Sequence, residues 1–319
     1  MFLKVYDIMS EETQVCYACG ILGNEVSRMK ILVIAGHPAD MFDHCGGTLM
    51  HHIQQGDEVV CASITQGLRV HDEVIYDLFR SEAAATMPQE ELDALLKERQ
   101  RVKYGEVIEA CHMFGIQDIR FLDYDDEILS VTPEMISKVA QLIREVRPEL
   151  LITHWPYQGD TFSNHHAVTG QLALAGATAA HGINFKQNVP SWNVTQIAYM
   201  ICPADFRSTV ISNHGRTAHI SYYVDVTDVA EIKVKALKCM HSQKYDTPGY
   251  GEKVLEMWSG NLGMTARVGY AEAFAVEHPE VGRTIPVSDH LKWMAHGDER
   301  EILERISDMH GSKTAHKLD

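Results

Sequence analysis

The chain has 319 residues, of which 45% are hydrophobic and 23% charged, and carries a formal net charge of −16. That balance belongs to a globular protein able to bury a sizeable core, and it excludes binding driven by nucleic-acid phosphates, which needs a surplus of Lys and Arg. No apolar run approaches the ~18 residues that would suggest a membrane span. Seven cysteines are odd in number and scattered, several inside apolar segments. Reduced thiols of a cytoplasmic protein fit this pattern better than a disulfide framework. Cys16 and Cys19 have CxxC spacing, but no second pair follows them.

Residues 1–28 read as an extension ahead of Met29-Lys30 and lack the basic start and continuous apolar core of a secretory signal. Residues 30–36 form a nearly all-apolar run, the pattern of a strand buried on both faces. A helix is expected over 41–55, stopped by Gly56. Gly46 and Gly47 inside it cost about 1 kcal/mol each against Ala, so a close approach to a neighbouring element is expected there. Residues 57–64 make a second strand, and 65–88 is a polar stretch of weak pattern. A long helix is expected over 89–114, a third strand over 119–122, and a helix from Thr132-Pro133 to Arg147. A fourth strand covers 150–153, followed by a polar loop and a small-residue helix from Ala167 to about Ala180. Strands are then expected at 196–201 and 219–226, with helices over 228–243, 250–266 and 300–309. This βα alternation argues for a Rossmann-like α/β fold: a mainly parallel sheet in three layers, helices on both faces. The expected organisation is the extension 1–28, a catalytic domain 29–285, and a C-terminal helix and tail 286–319.

His37 and Asp40 stand three residues apart at the end of the first strand, and His165 follows the fourth strand at a helix start. In a parallel sheet the carboxyl ends of the strands share one edge, so these loops can meet in one crevice. Two His and one carboxylate leave a coordination position open, the pattern of a catalytic zinc site. Similar N/O sites accept other divalent ions. Asn164 is expected to cap the helix that begins at His165.

These residues carry a resemblance. His37-Pro-Ala-Asp40, Gly46-Gly47-Thr48, Thr153-His154, His165-His-Ala-Val168, Ser242-Gln243 and Tyr270-Ala-Glu272-Ala-Phe274 together resemble the PIG-L/LmbE family. The resemblance spans about Met29 to Phe274. It implies a zinc-dependent de-N-acetylase of sugar conjugates on a Rossmann-like sheet, with His37, Asp40 and His165 as metal ligands. Two departures stand out. Ala39 occupies the position of the family's usual general base, and Phe162 and Asn164 replace a His and an Asp of its second motif. The catalytic base is therefore expected elsewhere, among Asp43, Asp160, His154 and His166.

The expected function is hydrolysis of an N-acyl group on an amino-sugar or related conjugate, a small-molecule substrate, through zinc-activated water. Two alternatives stand beside it. One is a metal-dependent hydratase of an unsaturated oxo-acid, like the 4-oxalomesaconate hydratase branch of the same superfamily. It would require Arg or Lys around the metal, and Arg69 and Arg267 are the candidates. The other is a zinc-retaining binding protein without turnover. A homo-oligomer is compatible with the sequence.

Overall fold

The computed structural model describes residues 28–127, 130–157, 164–182, 189–201, 212–213, 216–217 and 220–310. Its centre is the strand β1 (Lys30–Ala35), in which Ile31 to Ala35 are all fully buried. Parallel strands β2 (Glu58–Thr65) and β4 (Leu150–His154) flank it, β3 (Asp118–Tyr124) lies outside β2, and β5 (Gln196–Met200) lies outside β4. Two later strands, β6 (Tyr222–Asp225) and β7 (Ala271–Val276), are antiparallel and extend the sheet beyond β5, giving the order β3-β2-β1-β4-β5-β7-β6. The apolar side chains of β1 alternate between two cores. Leu32 and Ile34 face one, and Ile31, Val33 and Ala35 face the other. The mainly parallel α/β architecture read from the sequence is thus the observed one. The chain progresses outward from β1 to β3 and then returns to the other side of β1 at β4. The crevice between the carboxyl ends of β1 and β4 is consequently a topological switch point.

The expected helix at 41–55 is split into a one-turn helix Asp40–Asp43 and α1 (Gly46–Gln55). The glycines at the break allow tight packing. A Cβ on Gly46 would lie 3.0 Å from the Phe114 ring, and one on Gly47 would lie 2.6 Å from Val226 Cγ1. Gly56 ends α1 in the left-handed region, at φ +98°, as expected. The weakly patterned stretch 65–88 holds three short helices, Leu68–His71, Glu73–Phe79 and Ala83–Thr86. Asp72 caps the second of them through Ile75 N–H and is itself held by the Arg99 guanidinium of α2 (Gln89–Met113), a tertiary pair that local pattern does not reveal.

Two further helices, α3 (Pro133–Val146) and α4 (His165–His181), pack on each other and on the opposite face of the sheet. Asn164 caps α4 by accepting the His166 N–H, as expected. At the other end, the buried Arg144 guanidinium of α3 donates to the carbonyls of Ala180 and Gly182, a cation on the carboxyl end of a helix. The expected helix at 228–243 ends earlier, as α5 (Ala230–Lys238), and the run 250–266 is interrupted by a π turn at Glu256–Gly260. Beyond β7 the chain adds α6 (Asp289–His296), which the sequence pattern did not mark, and α7 (Glu299–Ile306).

One buried network joins the amino end of α1 to the last strand. The Glu272 carboxylate accepts the N–H groups of Gly47 and Thr48 at 3.0 and 2.8 Å and the Thr48 hydroxyl at 2.6 Å. Lys233 of α5 forms an ion pair with the same carboxylate and donates to the Asp43 carbonyl at 3.0 Å. A carboxylate here compensates both the helix dipole and a buried ammonium. Removing it strands Lys233 without its counter-charge, so Glu272→Ala is expected to lower unfolding free energy by about 3–5 kcal/mol, measured by urea titration.

Candidate metal centre

The β1 strand ends at Ala35, and Gly36 brings its backbone against α4. A Cβ there would meet His166 Cδ2 at 3.1 Å and Thr169 Oγ1 at 3.2 Å. The following turn is closed by Asp40, whose Oδ2 accepts the His37 N–H at 2.7 Å. That oxygen is the hub of the site. His37 Nδ1 lies 3.2 Å from it, His166 Nε2 3.2 Å and His154 Nε2 3.3 Å. The other carboxylate oxygen of Asp40 faces His44 Nε2 at 3.8 Å, and His44 in turn lies 3.3 Å from Asp43 Oδ1. His37, Asp40, Asp43, His44 and His154 are all buried. The ring of Trp258 covers His44, with centroids 5.2 Å apart.

Burial works to raise the Asp40 carboxyl, but the imidazoles of His166, His37 and His154 around it prevail and hold it well below the usual carboxylate range. Asp40 is thus an anion set among nitrogen donors. His37, Asp40 and His166 each offer a ligand atom, all within 4.8 Å of one another, and Asp40, Asp43 and His44 form a second such group. The donor set, two imidazole nitrogens and a carboxylate oxygen, suits a catalytic divalent cation. His37 Nε2 is buried and has no hydrogen-bond partner among the described residues, so this imidazole keeps a nitrogen available to a ligand. The residues present therefore fit a bound metal ion.

The structure brings His37 and Asp40 together with His166, while the expected third ligand, His165, is not in that group. The His165 ring packs edge-on to His37 at 5.3 Å, and its Nε2 approaches the Asp126 carbonyl at 2.5 Å. Consecutive positions on a helix point about 100° apart, so only one of two adjacent histidines can face the Asp40 carboxylate. His154, expected as a base candidate, is fully buried at the end of β4, where its Nε2 accepts the Gly36 N–H at 3.1 Å. Asp43 sits one turn beyond Asp40 as anticipated. Asp160 and Phe162 lie outside the described residues, as do Cys16 and Cys19.

Arg69 is engaged rather than free: its guanidinium pairs with Asp125 and lies over the Phe79 ring. Asp126 is buried and accepts the N–H groups of Gly67 and Arg69, both at 2.7 Å. It thereby fixes the loop after β2 against the site.

Two residues near the centre were not singled out from sequence. His71, on the short helix after β2, packs edge-on against His37 with ring centroids 4.6 Å apart. Burial, reinforced by His37 and Lys103, pushes its imidazole well below the ordinary range. Lys103 of α2 is fully buried, and its Nζ has no hydrogen-bond partner among the described residues. Burial lowers its ammonium to about 8 despite the nearby Asp72 and Asp126. The only sequence signal for His71 is its place just beyond the carboxyl end of a parallel strand, and a lysine in a long helix reads as surface.

Fold and site together define an α/β protein with a histidine–carboxylate centre at the switch point of its sheet. The family model described as PIG-L, GlcNAc-PI de-N-acetylase, matches residues 32–177. That match places this segment in the PIG-L (LmbE-like) family, as the motifs implied. The chain is 24% identical over 260 residues to the diacetylchitobiose deacetylase of Thermococcus kodakarensis, covering 81% of this chain and 83% of that one. It is 23% identical over 258 residues to the 4-oxalmesaconate hydratase of Pseudomonas putida, covering 78% and 90%. Among solved structures, the 4-carboxy-2-hydroxymuconate hydratase GalB of Pseudomonas putida KT2440 superposes with a TM-score of 0.61 at 19% identity. It covers 81% of this chain and 100% of that one.

The depressed His71 has a consequence for stability. The unfolded imidazole takes up a proton near its ordinary value of 6.5 while the folded one resists it, so protonation favours unfolding. In chelator-treated protein, stability is expected to be full above pH 6.5 and to fall as the pH drops below it. Urea midpoints measured between these limits should fall less steeply in His71→Gln.

Proposed function

We propose that this chain is a metal-dependent hydrolase that removes an N-acyl group, acetyl in the first instance, from an amino-sugar conjugate. The observation that carries the reading is the enclosed group of His37, Asp40 and His166 at the carboxyl edge of the sheet. The deacetylase relative, aligned over most of both chains, supports the acyl-amide chemistry.

We assign His37, Asp40 and His166 as the residues that would hold the metal, with His165 beside them. A divalent ion such as Zn²⁺ in such a site supplies a Lewis acid that polarises an acyl carbonyl and makes water a nucleophile near neutral pH. The protein's own groups do the rest. The His37 N–H holds the Asp40 carboxylate in one orientation. Ala39 is packed in the apolar core on the α2 side of the sheet, so the usual position of the base carries no proton acceptor. Asp43 is grouped with Asp40 and His44, and in this reading it accepts the proton released as water adds to the carbonyl carbon. That proton then passes to the amine nitrogen as the C–N bond breaks.

A second reading, hydration of an unsaturated oxo-acid, is favoured by one specific feature. The Lys103 ammonium, without a hydrogen-bond partner among the described residues, would in that reading meet an anionic substrate group, and the hydratase relative aligns over most of this chain. Parallel assays separate the two. Acetate release from N,N′-diacetylchitobiose and related N-acetyl sugars is expected. Loss of ultraviolet absorbance from an unsaturated oxo-acid, without acetate release, would replace the first reading by the second.

Two variant sets test the assignments. Purified protein is expected to hold about one zinc per chain by elemental analysis, and His37→Ala and His166→Ala to lose it while His165→Ala retains it. Retention in His166→Ala and loss in His165→Ala would exchange their roles. Asp43→Asn is expected to keep its metal and to lower kcat by about 10²–10⁴-fold.

A further inference from the structure

The amino-terminal edge of the sheet, opposite the metal centre, carries a surface that the proposed reaction does not use. Among the described residues, a groove of about 470 Å³ opens between α1 and the ends of β4, β5, β6 and β7. Its floor is apolar, formed by Leu150, Ile152, Ala198, Val224, Phe274 and Val276, and Glu149 stands on its rim. Where β7 leaves the sheet, its backbone is tied to Gln196, which lines the same groove, through His278 N–H and carbonyl at 3.0 and 2.9 Å. From there residues 279–288 run without helix or strand to α6.

This arm has an unusual composition for its exposure. Val281 is 95% exposed and Ile285 92%, and Val287 is exposed as well. Val281, Ile285 and Val287 stand exposed along this arm on either side of a bend at Arg283 and Thr284. Arg283 in the middle of it has no ion pair among the described residues, while the groove rim presents the carboxylates of Glu149 and Glu280. The arm leaves the sheet from a point fixed by Gln196, yet its exposed apolar side chains lie in solvent and not in its own groove. Exposed apolar side chains and an apolar groove on one chain are the two halves of a self-complementary contact.

We propose that the chain forms a two-fold dimer by reciprocal arm exchange: Val281, Ile285 and Val287 of one copy enter the groove of the other, and Arg283 pairs with Glu149 across the interface. The occupant is a second copy because the same surface supplies both the apolar arm and its oppositely charged rim. The contact leaves the metal centres free at the opposite edge of each sheet.

The test is sedimentation equilibrium of the full chain and its variants, with far-UV circular dichroism and zinc content as controls of the fold. The unaltered chain is expected at twice its monomer mass at micromolar concentration. Val281→Asp with Ile285→Asp, both at solvent-exposed positions, is expected to give a monomer with an unchanged spectrum. Arg283→Glu is expected to raise the dimer dissociation constant about tenfold, and adding Glu149→Lys to bring it back to within about threefold, as a direct pair requires. A monomer at every concentration overturns the proposal and leaves the groove to another segment or partner. A dimer indifferent to the aspartates overturns it too, and failure of the charge exchange to restore affinity overturns the Arg283–Glu149 pairing.

Discussion

The Asp40 carboxylate is the constraint on which the site depends. It is buried, ionised, and ringed by His37, His154 and His166 within 3.3 Å of one oxygen, with His44 facing the other. An anion in such a place is costly unless it is compensated, and imidazoles alone compensate it only when they carry protons. A divalent cation would compensate it without them and would use the nitrogen lone pairs that a neutral imidazole offers. The geometry of Gly36, which admits α4 to the end of β1, exists to make this convergence possible: a side chain there would press on His166 and on Asp40 itself.

The rest of the fold serves to hold the elements that meet at Asp40. The Glu272–Lys233 pair fixes the amino end of α1 and reaches the Asp43 carbonyl, so the turn carrying Asp40 and Asp43 is braced from the far edge of the sheet. Arg144 fastens the carboxyl end of α4, whose amino end presents His165 and His166. Asp126 holds the loop after β2, and with it His71, against His37. Each brace is a buried charge with named partners, and each lies at a distance in sequence from what it positions.

How much of this could be read from the chain follows from which interactions are local. The parallel strands were legible because strands buried on both faces are continuous apolar runs, and β1 is the clearest of them. His37 and Asp40 were legible because a strand end puts them at the functional edge. Which of His165 and His166 faces the Asp40 carboxylate was not, since that depends on the rotation of α4 about its axis, which packing against Gly36 and β4 decides. The short helices of 65–88 were missed because the cap of Glu73–Phe79 is set by Asp72 together with Arg99, 27 residues away. The burial of Lys103 and Asp126 likewise has no local signature. Ala39, in contrast, was informative from sequence alone, and the structure gives it an apolar setting in place of a catalytic one.

The most direct test of the central claim is X-ray absorption spectroscopy at the zinc edge on metal-loaded protein. The account predicts a first shell of two imidazole nitrogens and carboxylate or solvent oxygens at about 2.0–2.2 Å, and that His37→Ala taken through the same loading retains no such shell. A sulfur scatterer near 2.3 Å, or an imidazole signal that His37→Ala leaves unchanged, would contradict it.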